Sequence, residues 1–394
     1  MVKPDKKINI IMFNMSSQFD WQRGISNRNY HILQTLLKDE RVNQIVAVDY
    51  LPWTWQKVIK NYLYGYLPTL SKTKVIYQNL FTKARQYSDK LTIVSSVASY
   101  FNSGRLYQDL NKIIDKLKIK DDYIVWSYNP LTTEYFNQLK PRLFVFDAVD
   151  NWSIHPSYVK VKNRILDNYQ IITGKSDIIF TVARELENVF ADNKRVYWVP
   201  NGIDFEHYQQ EYSLLDKRIA DIPHPIIGYI GIILGRIDMK IIKYLAEQNP
   251  NKSIVLVGSY KGYLHYWDRR LVQELEKINN IYLLGYLPYD QAPMYIQQFD
   301  VAIIPHNPDS YVAATNPMKM YEYLACGKPI VATPAPGIDM FDDIAVASEP
   351  AEFNNKMIEA LASDNLDKQT ARRALAQTHG WQDRVDQMLN LIIN

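Results

Sequence analysis

Lys319 and Glu322 stand three residues apart, just behind Asn316 and Pro317 and ahead of Gly327. Asn is a natural N-cap and Pro suits the first helical position. The spacing therefore predicts a helix that starts at Asn316–Pro317, runs through Leu324 and stops at Gly327. Pro329 then opens a strand, Ile330 to Thr333. A helix start offers free N–H groups and the positive end of a dipole, which suits a phosphate. Lys319 in the first turn adds a full charge. Glu322 lies on nearly the same face, where a carboxylate can accept hydrogen bonds from the two hydroxyls of a ribose. Lys to phosphate and Glu to sugar describe a site for a nucleoside diphosphate. The same spacing also suits an ordinary i,i+3 ion pair on a solvated helix.

A second group with chemistry in it is Asp147 and Asp150, which close a strand ending at Phe146. A carboxylate at a strand end can act as a general base toward a hydroxyl; it can equally cap a turn. Two carboxylates at i,i+3 with no neighbouring His or Glu make a poor metal site. The seven His residues are scattered with no ligand spacing on one helix, so no metal is expected.

Strands alternating with helices must position these groups. In the first half, strands are expected at Ile8–Met15, Gln44–Asp49, Leu91–Ser96, Tyr123–Ser127, Arg142–Phe146, Asp177–Val182 and Val196–Val199. Helices are expected at Asn27–Leu37 and Leu106–Leu117. Asp20, Gln22, Arg23 and Gly24 fall in the first strand-to-helix loop, where ligands bind in open α/β sheets. Arg23 there could meet an acceptor's diphosphate. The second half repeats the pattern, with strands Ile226–Ile230, Ser253–Val257, Ile281–Leu284, Val301–Pro305 and Ile330–Thr333. Helices fall near Met239–Glu247, Leu271–Lys277, Pro293–Gln298 and Phe353–Leu361. Trp381–Ile393 has one clean apolar face. Such alternation implies α/β architecture with two Rossmann-like parallel sheets. The expected division is 1–200, a polar linker 201–224, a second domain 225–375 and a terminal helix region 376–394. Strand ends in the second domain bring forward Gly231, Arg236, Ser259, Tyr286, His306 and Tyr311 as ligand contacts. An Arg fork matches phosphate oxygens.

Composition limits the function classes. The chain has 394 residues, 47% hydrophobic and 22% charged, with one cysteine, Cys326. That leaves no internal disulfide and no Cys-based zinc site. A net charge of +3 is too small to argue for nucleic acid. No apolar run approaches the roughly 20 residues of a membrane span, and the reading is of a cytoplasmic protein. Residues 50–88 are distinct: they contain no Asp or Glu but six cations, Lys57, Lys60, Lys72, Lys74, Lys83 and Arg85. Trp53, Trp55 and several Tyr residues are interleaved. Basic plus aromatic without acid suits the anionic inner face of a membrane. A Tyr-rich crossover segment facing a core would have the same composition.

The 316–333 stretch resembles the donor-binding signature of GT-B glycosyltransferases, in which Pro317, Met318-Lys319, Glu322-Tyr323-Leu324-Ala325, Gly327-Lys328-Pro329 and Ile330-Val331 fall in place. Pro200-Asn201-Gly202-Ile203-Asp204, Ile227-Gly228-Tyr229-Ile230-Gly231 and Gly380-Trp381-Gln382-Asp383-Arg384 resemble further family motifs. Met318-Lys319 and the Asp147/Asp150 strand end are closest to the membrane-associated xanthan-type glucuronosyltransferases. The resemblance implies two Rossmann-like domains with a cleft between them and a last helix crossing back to the first. It implies transfer of a sugar from a nucleoside diphosphate donor, UDP-linked, to a lipid-linked or cell-surface glycan acceptor, with no metal or cofactor needed. Retaining members carry a second Glu eight residues before Glu322; here that position is Ala314. This favours an inverting transfer with an Asp base. Two other readings use the same fold: a nucleotide-sugar epimerase, and a non-catalytic nucleotide-sugar-binding scaffold on the membrane.

Overall fold

The computed structural model describes residues 7–49, 73–98, 103–119, 122–212, 216–233, 235–259, 266–307 and 315–393. Trp53, Trp55, Lys57, Lys60, Lys72, Tyr311 and Ala314 lie outside the described residues. The chain forms two compact units, one of 1–199 with 385–394 and one of 200–384.

The first unit holds a nine-stranded sheet: β1 (Ile8–Phe13), β2 (Val42–Val48), β3 (Lys74–Gln78), β4 (Thr82–Gln86), β5 (Leu91–Ser96), β6 (Ile124–Ser127), β7 (Leu143–Ala148), β8 (Ile178–Thr181) and β9 (Val196–Trp198). Their order is β3-β4-β5-β2-β1-β6-β7-β8-β9. The central strand β1 is wholly buried, as expected of a parallel strand with both faces covered. The β3–β4–β5 edge is antiparallel, so the expected all-parallel sheet acquires a hairpin. That hairpin comes from the basic–aromatic segment. Lys74 sits on the exposed edge strand, but Lys83 and Arg85 on β4 are buried. Both faces of β4 are covered, since Thr82 and Ala84 are buried as well, so those two cations are not displayed on a membrane surface.

The second unit is a six-stranded parallel sheet: β10 (Ile226–Ile230), β11 (Ser253–Val257), β12 (Ile281–Gly285), β13 (Val301–Ile304), β14 (Ile330–Ala332) and β15 (Ile344–Val346), in the order β12-β11-β10-β13-β14-β15. Chain direction across the sheet reverses at β10, whose neighbours are β11 on one side and β13 on the other. Ligands bind outside the carboxyl ends at such a switch point. Segment 201–224 is packed rather than a free linker. It contains two short helices, Phe205–Tyr208 and Lys217–Ala220, and its Ile203, Tyr208, Ile219 and Ile222 join the buried core with Ile226 and Phe299. The helix Trp381–Ile393 begins in this unit, where Trp381 N–H donates to the Ile203 carbonyl. Its residues from Val385 on cluster with the first unit, where Arg195 donates to the Leu391 carbonyl at 2.6 Å.

Candidate functional site

The floor of the site is made of two glycines at the ends of adjacent strands. Gly231 follows β10 with φ +140° and Gly258 follows β11 with φ +152°, backbone states that other residues avoid. A Cβ on Gly258 would lie 1.7 Å from the Gly231 carbonyl oxygen. A Cβ on Gly231 would lie 2.3 Å from Lys319 Cε. Two bare backbones thus approach closely, and the Lys319 stem lies across one of them.

Lys319 belongs to the helix Met318–Ala325, whose start is not built as the sequence suggests. Pro317 is the N-cap, and no side chain caps the helix. Asn316 is drawn elsewhere: its Oδ1 accepts from Asn201 N–H at 3.0 Å and from the Tyr321 hydroxyl at 3.1 Å, while its carbonyl accepts from Asn201 Nδ2 at 2.7 Å. Asn316 therefore fixes the turn at 200–204 to the helix, and the helix-start N–H groups stay without a side-chain cap. The far end is as expected, with Gly327 left-handed at φ +74°.

Four groups with opposed charge tendencies meet here. The half-buried Lys319 ammonium stands 5.4 Å from the centre of the Tyr229 ring. Burial, and then the nearby Arg236 guanidinium, push it down to about 8, against the attraction of Glu322. Burial pushes the Glu322 carboxyl up, opposed by Lys319 and by the Tyr208 hydroxyl beside it. His306 is 1% exposed, and among the described residues neither ring nitrogen has a hydrogen-bond partner. Burial, Lys319 and Arg236 together hold its imidazole neutral, well below the usual histidine range. The backbone holds this group in place: Ile237 and His306 form an antiparallel bridge. Asp238 N–H donates to the Pro305 carbonyl at 2.7 Å, and Asn307 N–H to the Arg236 carbonyl at 2.8 Å. The Lys319 ammonium and the Arg236 guanidinium, beside a buried imidazole, are arranged for an anion with several oxygens.

Among the expected donor contacts, Gly231, Arg236, His306, Lys319 and Glu322 come together. Met318 is the first helical residue and half-buried, and Pro317 is buried. Ser259 and Tyr286, after β11 and β12, are exposed at the same end of the sheet. Tyr208 was not singled out by sequence; its aromatic character in the turn after Asp204 carries no signal that it would face Glu322.

In the first unit, Asp147 lies within β7, fully buried, and both its carboxylate oxygens accept from Arg28 Nε at 3.0 and 3.1 Å. Trp126 and Tyr128 also lie against it. Burial pushes its carboxyl up despite Arg28. An enclosed, paired carboxylate cannot reach an external hydroxyl, so Asp147 is a structural ion-pair partner rather than a base. Asp150, three residues on and past the strand, is half-buried. Asp20 is also a structural group: Ser17 N–H and Oγ donate to it at 2.9 and 2.7 Å in a capping box for the short helix Gln18–Gln22. Gln22 and Arg23 are exposed, the Arg23 guanidinium lying 5.4 Å from the Phe19 ring centre. Gly24 is left-handed at φ +78°. Among the described residues no group of three or more His, Cys, Asp or Glu could hold a metal ion.

Residues 239–390 match a family model described as glycosyl transferase-like. A teichuronic acid biosynthesis glycosyltransferase, TuaH of Bacillus subtilis, is 28% identical over 229 residues, 55% of this chain and 55% of its own length. The match thus spans about half of that curated relative. Solved structures align over nearly the whole chain. A sucrose-phosphate synthase from Thermosynechococcus elongatus covers 98% of both chains with TM-score 0.66 and 14% identity. HepE from Anabaena, in complex with UDP and glucose, has TM-score 0.62 at 15% identity, covering 97% of this chain and 99% of its own. The starch synthase IV catalytic domain from Arabidopsis thaliana, bound to ADP and acarbose, has TM-score 0.67 at 11% identity, covering 98% and 99%. The fold is that of the GT-B glycosyltransferases.

Proposed function

We propose that this chain, with the fold of the GT-B glycosyltransferases, moves a sugar from a nucleoside diphosphate donor to a lipid-linked or cell-surface glycan at the inner face of a membrane. The observation that carries the reading is the group of Lys319, Arg236 and His306 above the Gly231–Gly258 floor, with Glu322 one helical turn from Lys319. Lys319, Arg236 and the helix start neutralise the leaving diphosphate, and Glu322 holds the ribose. HepE, whose structures contain UDP and UDP-glucose, supports UDP as the nucleotide. TuaH's description supports a cell-surface glycan as acceptor. The basic–aromatic stretch 50–88 supports attachment to the membrane surface.

In the transfer, the acceptor oxygen forms a bond to the anomeric carbon as the bond from that carbon to the phosphate oxygen breaks. The electron pair leaves on the diphosphate. Asp150, the half-buried carboxylate past β7, takes the acceptor's proton, and the single displacement, with the acceptor attacking opposite the leaving phosphate, makes the reaction inverting. The test is a panel of nucleotide-sugars assayed for slow hydrolysis, followed by product analysis by anomeric proton coupling. Release of nucleoside diphosphate from one donor, lost in Lys319→Ala, is the expected result. Interconversion of two sugars without release of nucleotide would replace the transferase with an epimerase. Tight donor binding with no turnover on any acceptor would leave a scaffold.

A further inference from the structure

Directly after Asp150 the first unit carries a surface of unusual composition. From 151 to 166 there is no Asp or Glu, and Lys160, Lys162 and Arg164 fall at alternate positions. All three are exposed. Between and beside them stand exposed apolar side chains: Val159 at 68%, Ile154 at 47% and Leu166 at 41%. Single exposed apolar residues are ordinary. Three of them, in a segment with three cations and no acid, are not.

The surface is also built. Pro156–Val161 is a 3-10 helix, and Lys162–Lys175 continues from it as an α-helix that buries Ile165, Asn168, Tyr169 and Ile172. Tyr158 stacks on the buried Trp152 with ring centres 4.6 Å apart and planes 12° apart. Trp152 N–H donates to the Tyr169 hydroxyl at 3.0 Å, and Ser157 N–H to His155 Nδ1 at 3.1 Å. Ile154, in the turn after Trp152, and Val159, within the 3-10 helix, are therefore held outward on a fixed frame.

We propose that residues 154–166 form a docking ledge for an anionic lipid bilayer. Exposed apolar side chains enter the boundary between headgroups and acyl chains, and the three cations lie among the anionic headgroups. The partner is set by charge complementarity together with the apolar component: a soluble polyanion would use the cations but not Val159 and Ile154. The ledge lies outside 50–88 and consists wholly of other residues. It gives the proposed transferase a reason to receive a membrane-borne acceptor next to Asp150. It rests on that reading for its purpose only, since vesicle binding needs neither donor nor acceptor.

The full chain is sedimented with vesicles of phosphatidylcholine alone and of phosphatidylcholine with phosphatidylglycerol. Binding only to the anionic vesicles, released by high salt, is expected. The triple change Lys160→Glu, Lys162→Glu and Arg164→Glu should cut partitioning about 100-fold, since each cation near an anionic leaflet contributes about fivefold. Val159→Ser should cut it about tenfold, by lost apolar insertion. Circular dichroism and a urea midpoint equal to the parent's show that the first unit is folded in both variants, and an unchanged UDP-induced thermal shift shows that the second unit is intact. Three results would overturn the ledge: no vesicle binding, equal binding to neutral and anionic vesicles, or undiminished binding by both variants. Capture by a soluble polyanion, with no binding to vesicles, would reassign the surface to a glycan or acidic protein.

Discussion

Lys319→Met separates what the lysine does for the ligand from what it does to the fold. Its ammonium is displaced from the usual 10.5 to about 8, chiefly by burial and then by Arg236. With 1.36 kcal/mol for each pKa unit, holding that charge in the folded protein costs about 3 kcal/mol. Met keeps most of the stem that lies across Gly231 and removes the charge. Replacing a buried charge with an apolar residue of similar volume is often stabilising. Part of the gain is offset because Glu322 loses its counter-charge. A net gain of about 1–2 kcal/mol is expected, or about 2–4 °C in melting temperature per kcal/mol for a unit of this size. UDP stabilisation moves the opposite way. A charge-assisted hydrogen bond to phosphate is worth about 1.5–3 kcal/mol, so the variant should bind UDP about 10- to 100-fold more weakly. The pH dependence has a definite sign. The folded-state value lies below the unfolded one, so the native state sheds this proton first as pH rises through 8. The stability of the ligand-free protein should therefore gain from this group between pH 8 and 10.5, and that gain should vanish in Lys319→Met. UDP affinity should fall above pH 8, because the complex must then take up a proton. Differential scanning fluorimetry with and without UDP, across pH, reads all of this. A variant that melts lower than the parent yet keeps its full UDP shift would refute the reasoning.

The two aspartates should separate by assay. Asp150→Asn lowers transfer by two or more orders of magnitude, the value of a general base, with UDP binding intact by calorimetry; transfer at the parental rate would remove it from the mechanism. Asp147→Asn acts on the fold, because it strands the buried Arg28 charge. A loss of about 3–5 kcal/mol by urea denaturation is expected, and a loss below about 1 kcal/mol would contradict the pairing. Glu322→Gln should weaken UDP binding more than inorganic pyrophosphate binding, and equal losses in competition titrations would move the ribose elsewhere. Gly258→Ala places a methyl where the Gly231 carbonyl already is; it should lower the melting temperature and abolish the UDP shift, and an unperturbed variant would deny the close approach.

Much of the second unit was legible because its strands are short apolar runs bounded by turn residues. Ile226–Ile230, Ser253–Val257 and the helix Trp381–Ile393 begin and end where the pattern places them. The pairing of Lys319 with Glu322 was legible because helical periodicity puts i and i+3 on one face. What escaped depended on partners far along the chain. Asn316 has the right type for a cap, but Asn201 and Tyr321 compete for its side chain, and no local pattern reports that competition. Asp147 and Asp150 look alike in sequence. Only the strand's pleat, which points Asp147 at Arg28, distinguishes them. The β3–β4 hairpin was hidden because β4 is buried on both faces while carrying Thr82, Lys83 and Arg85, where an apolar run is the usual signal. The segment 201–224 read as a linker for the same reason: Ile203, Tyr208, Ile219 and Ile222 are spaced too widely to show one buried face.

The bare Gly231–Gly258 floor, as part of the proposed donor site, has a consequence for engineering and for natural divergence. A Cβ on Gly258 would meet the Gly231 main chain and one on Gly231 the Lys319 side chain, both at positive φ, so on the proposed function neither glycine offers a route to altered donor preference. Main-chain contacts treat all donors alike. On the proposed function, variation in the donor is therefore expected at the strand ends, where Ser259 and Tyr286 are exposed. A saturation library confined to those two positions samples donor choice while leaving the phosphate anchor untouched.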